Sequence, residues 1–246
     1  MTNTTPQAVG LDQPSFASRQ SRQKGIRMGR LPVNDKVLIG ALFLGCLIPT
    51  TAGTYRALTI LTSNNWAFEW AADHVDYVPL LFHVVASVVF LCIAAGQMVP
   101  GLRVRFMRWH RRAGRVAAVA GAIGALSGIW LTLAHPGISG PVLYFGRLGA
   151  STFWLISVIL AVHFVMTHRV DLHRAWMIRA FAMALPAGTL AFILIPFIVV
   201  FGEEGNASLL EAVQAGSWPF HLLVAEWFIR RNSAHRTGAT AKLQNA

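Results

Sequence analysis

The histidines of this chain are the residues with the most chemistry to offer, because an imidazole can ligate iron, carry a proton near neutral pH or bond across helices. Two of them repeat a local pattern: His110-Arg111 with Arg115, and His173-Arg174 with Arg179. Each unit opens an apolar segment, so each sets an imidazole and guanidinium groups beside the unpaired N–H groups of a helix start, where anions are attracted. The plainer alternative for any one arginine is anchoring, with its head reaching out to lipid headgroups. His83 and His221 fall inside apolar runs, where a histidine serves as a haem ligand, a proton carrier or a hydrogen-bonded packing residue. His163 and Glu226 come at similar depth near the inner ends of their segments. That pair could hold a metal, relay a proton or bond each other, and Glu226 with Arg230 also has the i,i+4 spacing of a helical ion pair. His74, His135, His168 and His235 lie in loops, tails or at segment ends and read as solvated side chains.

A haem of the b type needs two histidines on different helices at matching depth. Counted from the outer ends at 1.5 Å per residue, His83 is roughly 7 Å deep and His221 roughly 20 Å deep, a poor match. His110 with His163 or His173 is an alternative inner pair. The candidate ligands are therefore His83, His110, His173 and His163, flanked by Arg111, Arg115, Arg174, Arg179 and Glu226. There is no nucleophile motif, phosphate loop, CxxC pair or HExxH, so no enzyme class is indicated.

The elements that must position these groups are helices in a bilayer. Of 246 residues, 54% are hydrophobic and only 13% charged, too few polar groups to coat a water-soluble globule. The net charge of +11 comes with no aromatic-basic nucleic-acid motif, and its basic residues cluster between long apolar runs as orientation signals do. Cys46 and Cys92 both lie in such runs and read as small buried hydrophobes. Six segments reach the ~20 apolar residues a span needs, at 37 to 61, 78 to 98, 113 to 134, 147 to 167, 175 to 201 and 209 to 229. The sixth carries Glu211, Gln214, His221 and Glu226, with a bend expected at Pro219 and a capping-box spacing at Ser208 and Glu211. All lysines and arginines except Arg56 and Arg147 fall in the stretch through Lys36, in 103 to 115, in 169 to 179 or from Arg230 onward, which places both termini in the cytoplasm. The expected organisation is a disordered basic tail (1 to 35), an all-α domain of six transmembrane helices (36 to 231) and a cytoplasmic tail (232 to 246), in the inner membrane of a bacterium. In the third segment Gly121, Gly124 and Gly128 form a stripe that lets backbones approach closely, or leaves room for a flat cofactor.

Several motifs also recur in order. A histidine opens a helix ending in Gly96-Gln97, Arg103 and Arg105 precede Trp109-His110-Arg111 and Gly114-Arg115, then come His173-Arg174-Ala175-Trp176-Met177-Ile178-Arg179 and Ala225-Glu226-Trp227 with Arg230-Arg231. In these, over residues 80 to 231, the chain resembles an uncharacterised, mainly bacterial family of predicted multi-pass membrane proteins, a domain of unknown function. The resemblance implies a multi-span fold and a shared polar set of His83, Gln97, His110, His173 and Glu226, with no established activity. The chain departs from the family pattern at His221, where asparagine is usual, and at Ala191, where arginine is common.

Three functions follow as expectations. The first is haem b binding with electron transfer, to a partner or membrane subunit. The second is transport or binding of a small anionic ligand at the two His-Arg helix starts. The third is a structural membrane subunit whose histidines only bond between helices.

Overall fold

A computed structural model describes residues 45–47, 49–55, 57–58, 62, 77–137, 139–201 and 207–244. Among these the chain is helical, with no strand. In a hydrocarbon solvent an unpaired backbone group is costly, and the helix satisfies its own. The elements are α1 (Tyr77–Met98), the short α2 (Pro100–Arg105), α3 (Met107–Ala134), α4 (Pro141–Met166), α5 (Val170–Ala184), α6 (Pro186–Phe201) and α7 (Ala207–Gln244). Helical residues between 45 and 62 precede them and pack on α1: the Cys46 thiol faces the Leu91 carbonyl at 3.9 Å, and Thr50 lies 3.5 Å from Cys92. The 1 to 35 tail lies outside the described residues.

Prolines set the boundaries. Val99, before Pro100, is extended (φ −81°, ψ 113°), as the ring of a following proline requires, so α1 stops at Met98. Pro141 opens α4 at a position whose N–H would have no helical partner anyway. Pro186 divides the expected fifth span, 175 to 201, into α5 and α6 with a break at Leu185, because its ring removes a helical hydrogen bond and crowds the preceding turn. That is a correction, since one continuous helix was expected.

Three helices are long and apolar enough to cross a membrane among the described residues: Val78–Met98, Met107–Ala134 and Pro141–Met166. The two halves of the broken pair, at 15 and 16 residues, are each too short alone. Further differences from the expected segments are informative. The third begins at Met107 rather than 113, so the basic stretch with His110 is already helix. The expected sixth span is part of one helix that contains Pro219 and continues to Gln244, through the stretch expected as a tail. Ser208 lies within that helix rather than capping it.

The packing order closes a ring. Helix α1 packs on α3, α3 on α4, α4 on α5 and α5 back on α1, so α1 stands diagonal to α4 and α3 to α5; α7 lies against α4 and α5 and carries α6. Phe90 of α1 and Trp154 of α4 meet edge-to-face across the middle at 5.3 Å. Each ring helix contributes a fully buried alanine: Ala94, Ala117, Ala161 and Ala180. The glycine stripe of α3 is packing surface. A methyl at Gly121 would stand 2.9 Å from Phe90, and one at Gly124 2.7 Å from the Trp154 ring. Protein side chains thus cover the face that sequence reasoning also offered to a flat cofactor. Outward, α3 presents Val119, Leu126, Trp130 and Leu133, an apolar surface suited to lipid.

Candidate functional site

The ring places the candidate polar groups in two layers and one ion pair. In the layer toward the middle of α3, the His83 Nδ1 donates to the Gly124 carbonyl at 2.8 Å. A carbonyl only accepts, so Nδ1 carries a proton and Nε2 takes no part in that bond. Ser127 Oγ, already donating to the Ile123 carbonyl at 2.7 Å, lies 3.4 Å from the same nitrogen. The imidazole edge rests on Gly128, where a methyl would come within 3.2 Å of Cε1. Close approach through Gly124 and Gly128 is what allows this histidine to reach a backbone carbonyl of the neighbouring helix.

The other layer lies at the end where α1 finishes and α3 and α5 start. Gln97, on the last turn of α1, faces Gly114 of α3, its Oε1 3.9 Å from where a methyl would stand there. His110 is one turn below Gly114 on the same face. Both Gln97 Nε2 and His110 Nδ1 are buried without a hydrogen-bond partner. From the diagonal helix comes His173, whose Nδ1 donates to the Ala161 carbonyl of α4 at 2.8 Å, so that Nε2 takes no part in that bond. His110 lies within electrostatic reach of His173, Arg103 and Arg111. Gly96 makes room for the Trp109 ring, whose edge would stand 3.2 Å from a methyl there.

Six residues beyond His173 on α5, about 9 Å along the axis, Arg179 meets Glu226 of α7 in a two-point pair. Its Nε donates to Oε1 at 2.5 Å and its Nη2 to Oε2 at 3.1 Å. The two side chains are 19% and 27% exposed, and the guanidinium stacks over the Trp176 ring at 4.6 Å. Glu226 therefore takes its partner from α5, not from Arg230 on its own helix. Nor does it meet His163, whose side chain is exposed at the end of α4. Arg111 and Arg115 are exposed, and Arg174 is half-buried.

His221 has both ring nitrogens engaged: Nδ1 donates to the Ser217 carbonyl at 2.7 Å and Nε2 accepts from Thr189 Oγ1 at 3.0 Å. It ties α7 to α6. Two features were not read from the sequence. The Glu211 carboxylate accepts from the Gly140 N–H at 2.6 Å, at the start of α4, where a negative charge suits the helix end. Trp154 Nε1 and Ser87 Oγ are buried beside Gly124 without partners. A serine or tryptophan in an apolar run carries no signal of its depth, which is why neither was singled out.

Long apolar helices in a ring, with lipid-suited outer faces and ionisable groups turned inward, define an α-helical membrane protein. The family model described as "Predicted membrane protein (DUF2306)" matches residues 80–229, and the chain belongs to that family. The match takes in every group of the two layers and the ion pair. No curated protein and no solved structure matches the chain.

Proposed function

We propose that the protein is a six-span electron-transfer protein of the bacterial inner membrane, with both termini cytoplasmic, and that His110 and His173 hold a haem of the b type. The observation that carries this reading is the placement of two imidazoles on diagonal helices at one end of the bundle. His173 is held by the Ala161 carbonyl through Nδ1, as a ligating histidine is when its other nitrogen is fixed by a backbone acceptor. His110 offers a buried nitrogen with no partner in the same region. The surrounding donor set suits the group: Gln97 Nε2 is an unused hydrogen-bond donor, and Arg103 and Arg111 supply positive charge for acidic substituents. A bound haem would supply one-electron chemistry. The chain's own residues would orient the two imidazoles, keep the apolar layer of Ala94, Ala117, Ala161 and Ala180 dry, and hold the acidic edge at the basic end.

We leave His83 outside this role. The carbonyl it engages is 14 residues above His110 on α3, about 21 Å away along the helix, and its ring is packed on Gly128.

The test is a reduced-minus-oxidised absorption spectrum of the detergent-purified protein, expressed with haem supplied. A haem band is expected that disappears in His110→Ala and in His173→Ala and persists in His163→Ala. A wild-type protein with no band would end the proposal. A second reading, binding or transport of a small anion at the same centre, is favoured by the unused Gln97 donor beside cationic groups. It predicts pH-dependent flux in liposomes that is lost when Arg111→Ala is combined with Arg174→Ala.

A further inference from the structure

Between α1 and α3 runs an open trough of about 370 Å³ lined by Ala86 and Val89 of α1 and by Val119, Ala120 and Ile123 of α3, with Arg115 at one end. Val119 and Ile123 are exposed, so the trough opens outward rather than into the bundle, and it belongs to neither layer of the candidate site. Its floor is low because two of its positions are alanines. Elsewhere on the outer surface of α3, large side chains such as Leu126, Trp130 and Leu133 stand out instead. From Arg115 to Ile123 the trough follows α3 for about 12 Å. Arg115 marks the end that also carries the exposed Arg108, Arg111 and Arg112.

We infer that this trough binds an anionic phospholipid, one acyl chain lying on Ala86 and Ala120 and the headgroup phosphate paired with Arg115. Three physical points select this occupant. A concave apolar surface facing hydrocarbon is filled by what surrounds it, and that is acyl chain. A guanidinium binds phosphate oxygens through two parallel N–H donors, so Arg115 selects the phosphate end of the molecule and fixes its direction. A zwitterionic headgroup brings its own cation into an already basic neighbourhood, whereas an anionic one does not, so the charge of the site discriminates between the two. A helix of a partner protein would bury Arg115 at an apolar contact, at a cost that only an acidic residue placed opposite it could offset. A free inorganic anion has no use for the apolar length. The inference is independent of what the His110 and His173 centre holds.

The experiment is native mass spectrometry of the full chain released from micelles containing equal amounts of phosphatidylglycerol and phosphatidylcholine. The wild type is expected to retain phosphatidylglycerol with about a fivefold preference, the contribution of one arginine near an anionic headgroup. Arg115→Gln is expected to abolish the preference, while Arg112→Gln, one turn earlier and outside the trough, preserves it. Val119→Trp, which lays a large ring across an already exposed rim, is expected to lower retention of both lipids with the fold unchanged by circular dichroism. Equal loss in Arg115→Gln and Arg112→Gln would reduce the effect to general surface charge and overturn the site. So would a wild type without preference, retention undiminished by Val119→Trp, or displacement of the lipid by excess inorganic phosphate.

Discussion

Arg179 and Glu226 show what a single, half-buried ion pair does between two helices. Removing one partner leaves the other charge without its counterpart, a larger cost than removing both. Arg179→Met is therefore expected to lower stability by about 1–3 kcal/mol, with part of the loss recovered on adding Glu226→Gln, read as midpoints of thermal aggregation in detergent. A similar decrease in the single and double variants would show that the charge itself is immaterial. Glycines separate in the same assay. Gly124→Ala drives a methyl to 2.7 Å from Trp154 and should destabilise by about 1–3 kcal/mol. Gly149→Ala meets nothing within 4 Å on an exposed face of α4 and should stabilise by up to about 1 kcal/mol. His221→Leu forfeits the bond from Thr189 and the one to Ser217, so it should cost about 1–2 kcal/mol while leaving any haem band unaltered; a lost band would tie α7 directly to the centre.

At the scale of elements, apolar runs and prolines announced the helices because both act locally: the run sets the length, and the ring of Pro100 or Pro141 sets the edge. What the sequence left hidden was everything that depends on a neighbour. The sequence offered Glu226 Arg230 on its own helix or His163 at similar depth, and offered Glu211 only Ser208, whereas Glu226 pairs with Arg179 of α5 and Glu211 with the Gly140 N–H before α4. In the sequence the apolar span begins at 113, although His110-Arg111 reads as opening the helix; the helix itself starts at Met107, and arginine is among the better helix formers. The two His-Arg units were visible as a repeat, and the Ala161 carbonyl that orients His173 was not, since a backbone acceptor has no sequence signature. The break at Leu185 gives a further expectation. Pro186→Ala restores an N–H to the helix and should straighten the α5–α6 pair, lengthening the distance between spin labels at Leu172 and Val199. An unchanged distance would assign the bend to packing against α7 instead.

For the molecule as a whole, the distribution of lysine and arginine makes a statement about sidedness that the helices alone do not make. Epitope tags at the two ends should be cleaved by protease from the same face of oriented vesicles, and cleavage from opposite faces would exclude an even number of spans. The hairpin of α4 and α5 bears on how this arrangement comes into being. His173 is anchored by a carbonyl 12 positions earlier, across a turn in which His168 adopts a left-handed φ of 59°. That hairpin is complete once α5 has left the ribosome, whereas the carboxylate facing Arg179 is synthesised 47 positions later. During translation there is thus an interval when the imidazole is already aimed while the Arg179 guanidinium, about 9 Å further along α5, still lacks the carboxylate that pairs with it.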